Sequence, residues 1–146
     1  MSWMFANCYD FNCDLNLWDV SNVTNMSRMF YYCENFNGNL SDWNVSNVIN
    51  MSFMFNDCSK FDGDLSKWDV SNVTNMCKMF YYCKKFIGEG LKFWDVSNVT
   101  NMYCMFSGCY NFNYDLSKWD VSKVTDMSGM FTYCNKLKEK PFWYKN

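Results

Sequence analysis

One nine-residue phrase recurs along this chain, and its clearest copy is Trp68-Asp69-Val70-Ser71-Asn72-Val73-Thr74-Asn75-Met76. It returns at Trp18, Trp43, Trp94 and Trp119, so the steps between tryptophans are 25, 25, 26 and 25 residues. A period in this range makes each repeat one supersecondary unit that cannot bury its apolar face alone. Stacked units share a continuous interior, in which each fully buried Met, Phe or Leu contributes roughly 1.5–3 kcal/mol. That sum has to offset the ordering entropy of each unit.

The apolar positions fall in rows. The first methionine row is Met1, Met26, Met51, Met76, Met102 and Met127, and the second is Met4, Met29, Met54, Met79, Met105 and Met130. Together these account for all 12 methionines. A Phe row begins at Phe5, a Cys row at Cys8, a second Phe row at Phe11 and a Leu row at Leu15. Met76, Met79, Phe80 and Cys83 sit at i, i+3, i+4 and i+7, which predicts one face of a short helix with Thr74 or Asn75 as its cap. Trp68 and Val70 alternate with polar neighbours, which predicts a short half-buried strand. Asp62-Gly63-Asp64 is a turn signal. The expected fold class is therefore α/β: a solenoid with parallel strands on one face and short helices on the other. Five strands at about 4.8 Å imply a rod on the order of 25 Å long.

The frame Met-Phe-x-x-Cys-x-x-Phe-Asn-x-x-Leu-Ser-x-Trp-Asp-Val-Ser-Asn-Val-Thr-Asn-Met resembles the BspA-like leucine-rich repeats of surface proteins, in the variant abundant in mycoplasma surface proteins. The resemblance covers almost the whole chain. It implies a leucine-rich-repeat solenoid, adhesion or protein–protein contact as the function, and a place at the cell surface or outside the cell.

The 146 residues form a single expected repeat domain. Residues 1–17 are a half coil, 18–42, 43–67, 68–93 and 94–118 are full coils, and 119–146 are a last coil with a C-terminal cap. The third full coil carries one extra residue, absorbed by Gly88 and Gly90. In the last coil Pro141 falls where Leu belongs, which suits a worn edge strand. Met1 already occupies a repeat position, and no signal peptide or bilayer-spanning stretch is visible. A net charge of −2 gives no pull toward nucleic acid.

Nine cysteines is an odd number. Six lie in the repeat row and read as buried free thiols acting as small hydrophobes. Cys13, Cys77 and Cys104 fall off the row; Cys77 and Cys104 lie one coil apart, so a bridge between them stays open. The pattern suits a reduced setting better than a disulfide scaffold.

Two outward rows flank the Trp positions. The first is Leu17, Asp42, Lys67, Phe93 and Lys118, where Leu17 and Phe93 are candidate anchors. The second is Asp19, Asn44, Asp69, Asp95 and Asp120. This Asp row either binds cations or a basic partner, or accepts hydrogen bonds from the turn that follows each Asp; the fixed Asp-Val-Ser-Asn context favours the turn. A third candidate surface is aromatic: Tyr31, Tyr32, Tyr81, Tyr82 and Tyr103, with Tyr supplying contact area and a polar tip.

Every residue type with chemical potential recurs as a row, whereas an enzyme needs a singular constellation. The chain has no His, no Cys-x-x-Cys and no glycine-rich phosphate loop. The expectation is a non-enzymatic interaction module with no cofactor and no metal. Its partner is an unidentified protein or, through end-to-end stacking, the chain itself. Flat Thr rows raise ice binding, but Ile49 interrupts them.

Overall fold

The computed structural model describes residues 1–145; Asn146, the last residue of the expected cap, lies outside the described residues. Successive repeats lie directly over one another, yet they are built from turns. Among the described residues the single helical element is a 3₁₀ turn at Leu91–Phe93. Among the described residues the only strand-like pairings are single-residue parallel bridges, Asn25 to Asn50, Asn50 to Asn75, Asn75 to Asn101, and Asn101 to Asp126. The chain is therefore not an α/β solenoid, and neither the helices nor the strands expected from the spacing form.

The helix fails for a reason that one coil shows. Met79 N donates to Met76 O, Tyr81 N to Lys78 O, and Cys83 N to Phe80 O, each reaching three residues back instead of the four of an α-helix. The intervening amides leave the coil: Met76, Lys78, Phe80 and Tyr82 donate to Asn101, Tyr103, Met105 and Ser107 of the next coil, at 2.8–3.0 Å. This alternation requires positive φ at Lys78 (51°) and Tyr82 (56°). These are the third residues of their turns, where type II geometry needs that region. The same two positions are left-handed in every coil, as Arg28 and Tyr32, Phe53 and Asp57, and Cys104 and Gly108. The i, i+3, i+4, i+7 stripe is thus a property that a run of turns shares with a helix.

The strand fails because its amides are used locally. Trp68 N donates to Leu65 O and Val73 N to Val70 O, which closes two turns around Trp68 and Val70. Asp69 Oδ1 accepts the Ser71 amide at 3.1 Å, and Asn75 Oδ1 accepts the Cys77 amide at 2.9 Å. The expected cap at Asn75 is this side-chain turn. Between Leu65 and Met76, backbone pairing across coils is confined to the stretch from Thr74 to Met76.

The interior is one column. Phe30, Phe55, Phe80, Phe106 and Phe131 stack with ring centres 5.5–5.9 Å apart. Trp43, Trp68 and Trp94 stack nearly parallel at 6.3 and 6.5 Å. The Met, Val and Leu rows between coils one and four are buried as well, except Val23, which is half-buried.

Polar side chains stitch the coils. Each buried indole reaches back a coil: Trp43 Nε1 donates to Leu15 O, Trp68 to Leu40 O, Trp94 to Leu65 O, Trp119 to Leu91 O and Trp143 to Leu116 O, at 2.8–3.0 Å. The Cys row does the same. Cys33, Cys58, Cys83, Cys109 and Cys134 donate their thiols to Phe5, Phe30, Phe55, Phe80 and Phe106 carbonyls. These cysteines are hydrogen-bond donors at fixed sites as well as small apolar fillers. Asn47, Asn72 and Asn98 amides donate to Ser21, Ser46 and Ser71 carbonyls at 2.8 Å.

The extra residue of the third full coil sits in the 3₁₀ turn. Gly90 precedes it at φ 87°, and a methyl group there would lie 2.5 Å from Ser66 Cβ. The tail is no edge strand. Tyr144 N closes a turn on Pro141 O, Trp143 stacks on Trp119 at 6.4 Å, and Tyr144 packs edge-on against Phe131 at 5.1 Å.

Candidate functional site

The first outward row stands on the turns that precede each Trp. Leu17 is 98% exposed and Phe93 70% exposed. Between them, Lys67 Nζ meets Asp42 Oδ1 at 2.9 Å. Asp42 also accepts the Asn16 amide side chain through Oδ2 and donates its own N–H to Asn16 Oδ1. The hydrogen bond from Asn16, with Lys67 beside it, holds the Asp42 carboxyl below its usual range. Lys118 is exposed at the end of the row. Lys92 Nζ lies 4.9 Å from the Phe93 ring. Two large apolar side chains thus flank a surface ion pair that, being exposed, contributes little to stability.

The Asp row is occupied by its own backbone. Asp19, Asp69, Asp95 and Asp120 each accept the amide of the Ser two residues on, at 3.0–3.1 Å, and Asn44 does the same with Ser46. Those serine hydrogen bonds hold Asp19, Asp95 and Asp120 below the ordinary carboxylate range. Among the described residues no group of three or more His, Cys, Asp or Glu is placed to hold a metal ion.

The tyrosines lie on the flank of the stack, where the turns carry positive φ. Tyr31 and Tyr32 meet edge-on at 4.6 Å, and Tyr81 and Tyr82 meet at a tilt of 57° with ring centres 4.7 Å apart. All four are half-buried, and Tyr103 is exposed. The Asp57 carboxylate beside Tyr32 pushes its phenol up. Tyr82 lies over Gly108, where any side chain would strike its ring.

Two features here escaped sequence reasoning. One is a column of alternating rings and cations. The Arg28 guanidinium lies 4.8 Å from the Trp3 ring and 4.3 Å from Phe53, and Lys78 Nζ lies 4.9 Å from Tyr81 and 5.5 Å from Tyr103. Its signal was available: Trp3, Arg28, Phe53 and Lys78 are each one period apart. The other is a cleft of about 410 Å³ beside the 3₁₀ turn, bounded by Asp62, Ser66, Glu89, Lys92, Phe93 and Tyr114. It lies where the coil with the extra residue meets its two neighbours.

All nine cysteines are free, so Cys77 and Cys104 form no bridge. Burial pushes the Cys58, Cys83 and Cys109 thiols well above their ordinary value, and Cys33 and Cys134 to about 12.

These features define a repeat protein whose inward chemistry serves stacking and whose outward rows carry its variation. The sequence profile of the family described as "Mycoplasma protein of unknown function, DUF285" matches residues 1–91 and again 64–144, and the chain belongs to that family. No curated protein and no solved structure matches it. Among the described residues no helix is long and apolar enough to cross a membrane.

Proposed function

We propose that the protein is a non-enzymatic interaction module that binds a protein partner through the row of Leu17, Asp42, Lys67, Phe93 and Lys118. The observation that carries this reading is the exposure of Leu17 and Phe93 on a chain whose other large apolar rows face inward. Exposed apolar side chains of this size add binding energy when a partner covers and desolvates them. Kinship with BspA-like surface proteins, and with it an adhesive role, belongs to the same proposal and rests on the repeat frame alone. The flank tyrosines Tyr31, Tyr32, Tyr81, Tyr82 and Tyr103 form a second contact area.

The test is comparative capture. The double variant Leu17→Ser with Phe93→Ser should melt within about 0.5 kcal/mol of the native chain, as exposed positions do. It should lose proteins that the native chain retains from the source cells. Retention of the same set by both chains would overturn the reading.

A further inference from the structure

The cleft beside the 3₁₀ turn breaks the pattern of rows. Its coil builds the turn as Phe86-Ile87-Gly88-Glu89-Gly90-Leu91, where the other coils use one residue fewer, as in Phe61-Asp62-Gly63-Asp64-Leu65. Gly88 and Gly90 hold Glu89 between them at φ 88° and 87°. A side chain at Gly88 would strike the Phe112 ring, so the backbone carrying Glu89 is fixed by its neighbours. The cleft, of about 410 Å³, has room for one long side chain, and Phe93 and Tyr114 stand on its walls.

Its charge is uneven. Asp62, Asp64 and Glu89 line it against one cation, Lys92. Asp62 Oδ1 accepts the Ile87 amide and Asp64 Oδ1 the Ser66 amide, both at 2.9 Å. Glu89 is exposed and accepts no hydrogen bond among the described residues. No described cation is ion-paired with any of the three. Burial, and after it the Glu89 charge, raises the Asp62 carboxyl, which is the mark of negative charge left without a counterpart. Lys92 does not supply that counterpart. Its Nζ lies 4.9 Å from the Phe93 ring, so the chain's own ammonium already shows this wall receiving a cation.

We propose that the cleft takes the arginine side chain of a basic segment in a protein partner. A guanidinium is planar: it stacks on ring faces and bridges carboxylates through a rigid fork of donors, and both kinds of group line this cleft. A concave surface of one prevailing sign also concentrates the opposite charge. The inference rests on the reading that a partner covers the row containing Phe93, and it adds the charge of that partner.

The test titrates the full chain with the peptide acetyl-Gly-Arg-Gly-amide, followed by solution NMR. A second peptide carries citrulline, the uncharged isostere, in place of arginine. The arginine peptide should shift the ring protons of Phe93 and Tyr114, and the citrulline peptide should not. Glu89→Gln should melt as the native chain does and weaken arginine binding roughly fivefold, as loss of one exposed charge pair does. Lys92→Gln frees the Phe93 ring of its tethered cation and should tighten binding. No ring shift, equal binding of the two peptides, or unchanged binding in Glu89→Gln would overturn the proposal. Both variants leave Leu17 and Phe93 in place. A native chain that captures its partner through those residues but shows no arginine binding would therefore overturn the occupant of the cleft and leave the row reading standing.

Discussion

Cys83 shows how much a single residue type does in this chain. Its sulfur fills the interior and donates to Phe55 O at 2.9 Å, one coil back. Burial and that bond together make the five buried members of the row inert as nucleophiles, because the thiolate is the reactive form, whereas Cys8 of the same row is exposed and is not the buried thiol that its spacing predicts. A disulfide-exchange reagent should therefore modify exposed Cys8 and Cys13 fast and half-buried Cys77 and Cys104 slowly. It should reach Cys33, Cys58, Cys83, Cys109 and Cys134 only after unfolding. Fast labelling of the buried row in the native state would contradict this. Trp68 plays the matching role on the other wall, between Trp43 and Trp94. Trp68→Phe removes the indole bond to Leu40 O and part of a stacked ring, at a cost of roughly 1–3 kcal/mol. Urea unfolding should show it as a lower midpoint at unchanged slope. The burial of both rows was legible in their spacing. Their hydrogen bonds were not, because periodicity reports which residues face inward and says nothing of which carbonyl lies behind them.

At the scale of the element, turns replace both expected elements. Met76, Met79, Phe80 and Cys83 do face one interior, as their spacing requires, yet the backbone beneath them alternates between local and forward hydrogen bonds. Residue type announces this only in part: Asn7, Asp57, Gly108 and Gly129 suit the left-handed region, but Arg28, Phe53, Lys78 and Cys104 take it without being glycine, asparagine or aspartate. The neighbouring coil imposes the conformation, and a single coil cannot reveal it. The Asp and Asn side-chain turns, by contrast, were readable from the Asp-Val-Ser-Asn context. They also set the pH response. Serine hydrogen bonds hold Asp64, Asp115 and Asp126 low as they do Asp19, Asp95 and Asp120. A carboxyl held low in the folded chain supports folding while ionised. That support is complete above the unfolded range, near about 4, and is lost as pH falls through the lowered folded values. Asp57 and Asp62 run the other way, since burial raises them and acid relieves their charge. The lowered set is larger, so the melting temperature should hold from neutral pH to about 4 and fall below it. A melt that stayed flat or rose on further acidification would contradict the assignment.

The whole molecule is a stack with a direction. The amides of the Met-Phe turns donate to the next coil, while the indoles, the Cys thiols and the amides of the Thr row donate to the previous one. The period and the inward rows made stacking legible. The direction of the hydrogen bonds between coils was hidden, because it depends on which partner in each pair is the donor. The candidate rows on the surface were partly legible as well: the Asp row resolves into turns, while Leu17 and Phe93 stand out from the stack. In-register stacking of turn-built coils is the claim on which the rest depends, and solution NMR tests it most directly. Nuclear Overhauser contacts should link the Trp68 indole protons to those of Trp43 and Trp94, and the Phe80 ring to Phe55 and Phe106. The i to i+3 and i+4 contacts of an α-helix across residues 76–83, with no cross-coil contacts between tryptophans, would contradict it.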